Sequence, residues 1–474
     1  MFYDKTMLGA EQSASQAPAD AVEAIIDFDF LAPAYSANSD SSTFQRARKG
    51  TWFDEGYDLR EPVGTAFTMA VLEAIAAVDN IKNKRSDERQ RNHETIVRKL
   101  IANAIRCTIY HAPALVAFQR RASAYKRKPT WLNGKAMRRT TDLLSNAGLI
   151  ELYIGFEGVA SSSFTATPAL LLMAVEAGVT DDSLIYRMPD DRLLRLRAGN
   201  RETDLIPFEL NEEKQAWAAK LRDYNAFLAE QDIDIDLSDD EMAQFLVQLN
   251  NDRSKGKLPY TKPELLRKCL YRQFNNGSFE DGGRLYGGWW INCPKTLRHE
   301  IIINRRRTVE LDFSGCLIHM PYHLDGIDYR DDPYWLEALA ACEQKYGLSE
   351  DYFRDPNKRM MQALINGTEG KHNERIRMPN KQTYLPYFSR IEVANMLMEK
   401  HAPIAHHFFT GAGVKLQRLE SDIALDIITN MRKKGIVCLP IHDSFLVAAE
   451  YEDELRNEMN QSYRNQIGYD PIIK

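Results

Sequence analysis

The strongest constraint on this chain is an alternation that ends in a carboxylate. In Thr308-Val-Glu-Leu-Asp-Phe-Ser-Gly-Cys-Leu-Ile-His-Met-Pro-Tyr-His323, apolar Val309, Leu311 and Phe313 alternate with Thr308, Glu310 and Asp312. That period belongs to a strand with one buried face, and Asp312 ends its other face. The apolar segment that follows can turn into a helix, so a rigid scaffold presents Asp312 beside room for a ligand. A second such place is Gly435-Ile-Val-Cys-Leu-Pro-Ile-His-Asp-Ser-Phe-Leu-Val-Ala-Ala449, where two strand-like runs flank His442-Asp443-Ser444 and put Asp443 at the tip of a β-hairpin. Two separated carboxylates at strand ends suit two-metal phosphoryl transfer, because Mg²⁺ takes hard oxygen ligands, keeps waters and completes its shell from substrate phosphates. One Asp at a turn and another at a strand end also occur together by chance.

The intervening sequence adds weight. Asp312-Phe-Ser followed by His323-Leu-Asp-Gly326 resembles motif A of the family A DNA polymerases. Arg354-Asp-Pro-Asn-Lys358-Arg359, with Gly367 eight residues beyond Arg359, resembles motif B, in a form closest to the phage-type single-subunit RNA polymerases. His442-Asp443-Ser444-Phe445 resembles motif C, again in the RNA polymerase variant. Gly283-Arg284-Leu285 with Asn292-Cys-Pro294, and Gln417-x-x-x-x-Asp422-Ile423, resemble the DNA polymerase segments before motifs A and C. The likeness runs from about Asp281 to Ala449 with every motif in the expected order.

That resemblance implies an α+β right-hand polymerase with palm and fingers at the C-terminus. It assigns Asp312, Asp443 and the backbone carbonyl of Phe313 to two Mg²⁺ ions, for which Mn²⁺ could substitute. Lys358 would protonate the leaving pyrophosphate, and Arg354, Lys358, Arg359, Leu317, Asn366 and Gly367 would surround the nucleoside triphosphate. Arg284, Asn292, Gln417 and His442 would lie along the DNA primer–template. The departures are specific. Leu317 stands where family A DNA polymerases place the Glu that excludes a 2′-hydroxyl, His319 replaces an Arg, Asn366 replaces the aromatic before the motif B glycine, and Ser444 replaces a Glu. No acidic exonuclease motifs lie upstream.

The remainder divides by composition. Residues 1–62 read as a poorly ordered leader rich in Ala, Ser, Gln and Asp. Residues 63–180 hold a helical pattern from Thr65 to Ile81, a solvated charged connection over Lys82–Arg91, and a basic run. Between Val97 and Arg139 there are eleven Lys and Arg and no Asp or Glu, inside a protein of net charge −6. Such a run creates a positive field suited to phosphate backbones, with Tyr125 and Trp131 available for stacking. Its alternative role is a solvated basic face. A helix closed by Gly148, then strands at Ile150–Gly155 and Ser162–Thr167 about a Glu157-Gly158 turn, resembles a winged helix-turn-helix. Arg120, Arg121, Lys126, Arg127, Lys128, Lys135, Arg138 and Arg139 are its candidate DNA contacts.

Residues 181–276 read as a helical connector or reduced thumb, with Asn211–Leu228 the clearest helix and Ser238/Glu241 a capping box. Residues 277–474 form the palm and fingers. His401, His406 and His407 lack a nearby Cys or acidic ligand in a standard spacing and read as a helix surface. Scattered cysteines, the absence of a membrane-length apolar run and the lack of a signal peptide fit a cytoplasmic enzyme. The sequence therefore points to a template-directed nucleotidyltransferase, first a DNA-directed DNA polymerase. A phage-type RNA polymerase or primase, and a replication-initiation or regulatory DNA-binding protein with a weak polymerase-like domain, remain open as alternatives.

Overall fold

The computed structural model describes residues 50–79, 85–125, 128, 131–155, 161–199, 205–251, 259–367 and 384–474. The chain forms two units, Met1–Pro189 with Ser238–Arg267, and Asp190–Leu237 with Lys268–Lys474. Both mix helices with sheet that is antiparallel except for two parallel pairs, Thr51–Trp52 with Val116–Phe118 and Leu194–Arg197 with Tyr271–Phe274. No helix among the described residues is long and apolar enough to cross a membrane, and all six cysteines are buried free thiols.

The first unit opens with strands β1 (Thr51–Trp52) and β2 (Tyr57–Leu59), helices α1 (Val63–Ala76) and α2 (Asp87–Tyr110), and strand β3 (Val116–Phe118). Residues 50–62 therefore do not belong to a disordered leader. Tyr57 and Leu59 are buried on either side of Asp58, a strand too short for its period to register in a sequence window. The charged stretch before Arg91 is likewise helix from Asp87 onward. Ser86 caps it, and Asp87 and Glu88 in the first turn favour the positive end of the helix dipole.

Helix α3 (Gly134–Asn146) starts where the Asn133 side chain accepts the Ala136 N–H at 2.9 Å. It is followed by Gly148 at φ +72°, a left-handed conformation that glycine adopts without strain. Strands β4 (Ile150–Tyr153) and β5 (Ser162–Ala166) then pair antiparallel from Ile150↔Ala166 to Tyr153↔Ser163. The helix-then-hairpin order is thus present, while the Glu157-Gly158 turn lies outside the described residues. These strands form one sheet in the order β1-β3-β5-β4. Helix α4 (Pro168–Glu176) follows, and β6 (Leu184–Tyr186) pairs with β2. The unit is completed by a returning helix, Asp239–Asn251, whose capping box is formed: the Ser238 N–H donates to Glu241 Oε2 at 3.0 Å and Ser238 Oγ accepts the Glu241 N–H at 3.4 Å.

The second unit takes up much of the expected helical connector, which is not one piece. Asp190–Leu237 supplies β7 (Leu194–Arg197), β8 (Leu205–Ile206), α5 (Glu212–Ala229) and β9 (Ile233–Ile235), and Lys268 onward brings β10 (Tyr271–Phe274) and β11 (Gly282–Tyr286). The alternations Leu194-Arg-Leu-Arg197 and Ile233-Asp-Ile235 place apolar side chains on the buried faces of short strands inside a charged background. Then come β12 (Ile301–Ile303), β13 (Arg306–Asp312), α6 (Cys316–Leu324), α7 (Glu337–Tyr346), α8 (Arg354–Asn366), α9 (Arg390–Lys400), α10 (Ala412–Lys433), β14 (Cys438–Ile441), β15 (Ser444–Ala448) and α11 (Glu452–Ile467).

Two sheets run β11-β10-β7-β8 and β14-β15-β13-β12-β9. Strands β14 and β15 are buried at every residue, and α10 packs against α11, β11 and β14. Tyr224 of α5 donates its hydroxyl to the Cys438 carbonyl, and Trp290 Nε1 donates to Pro440 O at 3.1 Å. The central hairpin is thereby held by side chains as well as by its ladder.

Between β13 and α6 the chain must turn within three residues. Gly315 makes the turn at φ +62°, and a Cβ there would meet the His319 ring at 2.9 Å and Pro333 at 3.0 Å. Gly315→Ala should therefore destabilise the unit by about 1–3 kcal/mol, read as a lower urea midpoint. An unchanged midpoint would show that the turn relaxes freely.

Candidate active site

Strand β13 pairs antiparallel with β15 from Thr308↔Ala448 to Asp312↔Ser444. Strands β14 and β15 close into a hairpin whose loop is His442-Asp443, with His442 in the left-handed region at φ +61°. Asp443 thus lies one residue from the position directly opposite Asp312, and its carbonyl accepts the Phe313 N–H at 3.0 Å. Both carboxylates are half-buried. Burial first, then the neighbouring charge of Asp443 and further on that of Glu310, raise the Asp312 carboxyl above its ordinary range, while Lys295 and Lys358 pull it down. Carboxylates that oppose one another beside cations are an arrangement that could hold a metal ion.

Glu310 is the residue that motif reasoning missed. It shares the strand face of Asp312, accepts from Ser444 Oγ at 2.6 Å and pairs with Arg298 at 3.0 Å. Ser444, the departure from the DNA polymerase pattern, therefore binds a carboxylate donated by the neighbouring strand. The signal was the alternation itself, which puts Glu310 and Asp312 on one face.

Helix α8 buries Met360, Met361, Leu364 and Ile365 and leaves Lys358 and Arg359 exposed. Of the three motif B cations, Lys358 is close enough for its charge to act on Asp312. Arg354 does not extend freely toward a ligand: its Nε donates to Asp332 at 2.9 Å and its guanidinium lies 5.4 Å from the centre of the Tyr334 ring. Asn366 and Gly367 serve the packing of α8 on the start of α10. Gly411 N–H donates to Gly367 O at 2.7 Å, and a Cβ on Gly413 would strike the Asn366 side chain. Leu317 is half-buried in the first turn of α6.

The residues expected along the primer–template are arranged differently. Arg284 is clamped by Glu420, with Nε to Oε1 at 2.9 Å and Nη2 to Oε2 at 2.7 Å. Glu420 is buried at the helix–sheet contact, which raises its carboxyl while Arg284 lowers it. Arg284 is therefore a partner for a buried carboxylate, and the sequence showed only one member of the pair. Its neighbour Arg272 is fully buried, donating to Gly283 O at 2.9 Å, Ser421 Oγ at 2.6 Å and Asp422 at 2.9 Å. The Gln417-x-x-x-x-Asp422 element thus fastens α10 to β10 and β11. Gln417 itself is half-buried, Asn292 is exposed, and the His442 ring meets Tyr286 edge-on at 5.7 Å. Burial, then Arg284, lowers the His442 pKa.

The basic run of the first unit is largely neutralised from outside its own window. Arg98 pairs with Asp58 at 2.5 Å and Glu61 at 2.7 Å, Lys99 with Asp58 at 2.9 Å, and Arg106 with Glu264 at 2.8 Å. Arg120 meets Asp142 at 2.9 Å, Lys128 meets Glu55 at 2.5 Å, and Arg139 meets Asp79 at 2.6 Å. A window free of acids therefore overstated the field, because the counter-charges come from distant sequence. Arg121, Lys135 and Arg138 are exposed. Lys126 and Arg127 lie outside the described residues.

His401 is not on a helix surface. It is fully buried, accepts the Tyr322 hydroxyl at Nδ1 (2.9 Å) and donates from Nε2 to Pro333 O (2.8 Å), and burial holds its pKa down at about 4. No family model matches the chain, and no curated protein matches it in sequence.

Proposed function

We propose that this protein is a template-directed nucleotidyltransferase, in the first instance a DNA-directed DNA polymerase acting on a primer–template with nucleoside triphosphates. The observation that carries this reading is that Asp312, at the end of β13, and Asp443, in the β14–β15 turn, are far apart in the sequence yet adjoin in one sheet, with the charge of Lys358 acting on Asp312. The donor set would fit hard divalent ions: carboxylate oxygens of Asp312 and Asp443, with the Phe313 carbonyl as the resemblance implies. Two Mg²⁺ ions, or Mn²⁺, would supply Lewis-acid stabilisation of phosphoryl charge and a more acidic primer 3′-hydroxyl.

The chain's own residues would do the rest. Asp312 and Asp443 hold the cations, and Lys358 offers a positive charge and a proton to the departing pyrophosphate. Leu317 presents no carboxylate against a 2′-hydroxyl, which makes sugar choice the first property to measure. In the first unit, α3 with the β4–β5 hairpin would act as a winged-helix contact for DNA, using exposed Lys135 and Arg138. The ion pairs of Arg120, Lys128 and Arg139 limit that contact to a supporting role.

The test is extension of a labelled DNA primer on a DNA template with Mg²⁺, offering dNTPs or NTPs, beside Asp443→Ala and a lane without primer. Extension with dNTPs that drops by about 10²–10³-fold in Asp443→Ala is expected. Equal use of NTPs, or product without primer, would move the assignment to an RNA polymerase or primase. DNA binding without any nucleotide addition would leave a replication-initiation or regulatory protein.

A further inference from the structure

We propose a second metal site, of different chemistry, formed by Asp325, His406 and His407 and suited to Zn²⁺ or a similar borderline transition ion. Sequence spacing hides it, because Asp325 precedes the histidines by a long interval and carries no recognisable motif with them. Asp325 closes the C-terminal end of α6, its N–H donating to Pro321 O at 3.0 Å. The histidines end a short 3₁₀ turn, Ala402–His407, that follows α9. Thr410 Oγ1 donates to His407 O at 2.8 Å and fixes the backbone there.

Adjacent residues on a helical turn normally point apart, yet these two rings lie 4.2 Å between centroids at 38°. Both aim Nε2 at one carboxylate: His406 lies 3.3 Å from Asp325 Oδ2, and His407 lies 3.2 Å from both Oδ1 and Oδ2. One ligand atom from each of the three residues lies within 4.8 Å of the others.

The distances suit a ligand set as well as a hydrogen-bonded ion pair. A charge-assisted N–H···O⁻ bond closes to about 2.7–2.9 Å. Ligand atoms bound to one tetrahedral ion at bonds near 2.0–2.1 Å sit about 3.3 Å from each other, close to the separation of each histidine from Asp325. Two imidazoles and one carboxylate select Zn²⁺, Co²⁺, Ni²⁺ or Cu²⁺ over Mg²⁺, so this set does not compete for the ions proposed at Asp312. His406 is 62% exposed in its side chain and gives an ion a path in, with a fourth position left to water. An ion held there would tie the end of α6 to the turn after α9. It stands apart from Asp312, since the nine residues of α6 span about 14 Å.

The experiment titrates the full chain with Co²⁺, reading the visible band of a tetrahedral ion, and then with Zn²⁺ against a chromophoric chelator. One ion per chain is expected. Asp325→Ala and His407→Ala should each weaken binding by about 10-fold or more, the loss that even an outer-shell contact produces. His299→Ala, at a 66% exposed histidine elsewhere on the unit, should bind as the unaltered protein does. Circular dichroism verifies that the variants fold, and His406→Ala supplies a third, more exposed deletion. No uptake of either ion by the unaltered protein, or equal uptake by the Asp325 and His407 variants, would overturn the assignment. Because the readout is metal binding, it stands or falls separately from nucleotide addition.

Discussion

Asp312→Asn should lower nucleotide incorporation by a factor on the order of 10³ while leaving the metal-free protein more stable than before at pH 7. The two effects have one cause. Burial and the negative charges of Asp443 and Glu310 raise the folded-state pKa of Asp312 above its ordinary value of 3.8. A carboxyl with a raised folded pKa contributes stability only while protonated: in full below the unfolded pKa, and not at all once the pH has risen through the folded value. At pH 7 the ionised group is therefore a liability in the metal-free fold, and the amide removes it without changing shape. Differential scanning calorimetry with chelator, beside single-turnover primer extension with Mg²⁺, measures both halves. Added Mg²⁺ should stabilise the unaltered protein more than the variant, because binding to the folded state alone raises stability by mass action. Incorporation within tenfold of the unaltered rate would remove Asp312 from the chemistry. A lower midpoint in chelator would mean that the carboxylate is a structural hydrogen-bond acceptor.

The contrast between these carboxylates and the other charges explains what the sequence could disclose. Asp312 and Asp443 were legible because each closes a local pattern, an alternating strand or a hairpin between apolar runs, and local patterns survive in one dimension. Helices α8 and α10 follow the same rule, since each buries an apolar face set by a continuous local pattern. The role of Arg284 was not legible, because it depends on Glu420 from a helix far downstream. The basic run failed in the same way: the acids that neutralise Arg98, Arg120 and Arg139 lie outside the window that made it look uncompensated. A charge is an unreliable sequence signal for function because its partner carries half the information. The domain boundaries suffered from a related blindness, since Ser238–Arg267 returns to the first unit after Asp190–Leu237 has joined the second.

Glu264→Gln should destabilise the first unit by about 3–5 kcal/mol. Glu264 arrives on that returning segment and is buried with Arg106 and His111. Its Oε1 accepts Arg106 Nε at 2.8 Å, its Oε2 accepts the Tyr57 hydroxyl at 3.0 Å, and His111 Nε2 stands 3.5 Å away. The Arg106 guanidinium also covers the Tyr57 ring at 4.1 Å. Burial alone would raise the Glu264 carboxyl, but Arg106, followed by His111 and Arg267, outweighs it and holds the pKa far below 4.5. A depressed folded pKa gives stability that is present above the unfolded value and is lost as the pH falls through the folded one. Acid below about 4.5 should therefore erode this contribution progressively, and Glu264→Gln should flatten that part of the profile. The amide keeps the size and loses the charge, which leaves Arg106 buried without a counter-ion. Replacing both partners, Arg106→Leu with Glu264→Leu, should recover part of the loss, because that pair then has no charge to desolvate while Arg267, 3.9 Å from Glu264, still loses its counter-ion. Hydrogen exchange of the α2 amides reads the first unit separately from the second. A loss below about 1 kcal/mol in Glu264→Gln, or a double variant no better than the single, would mean that water reaches Arg106 and that packing of Tyr57 and α2, not the ion pair, holds the returning segment.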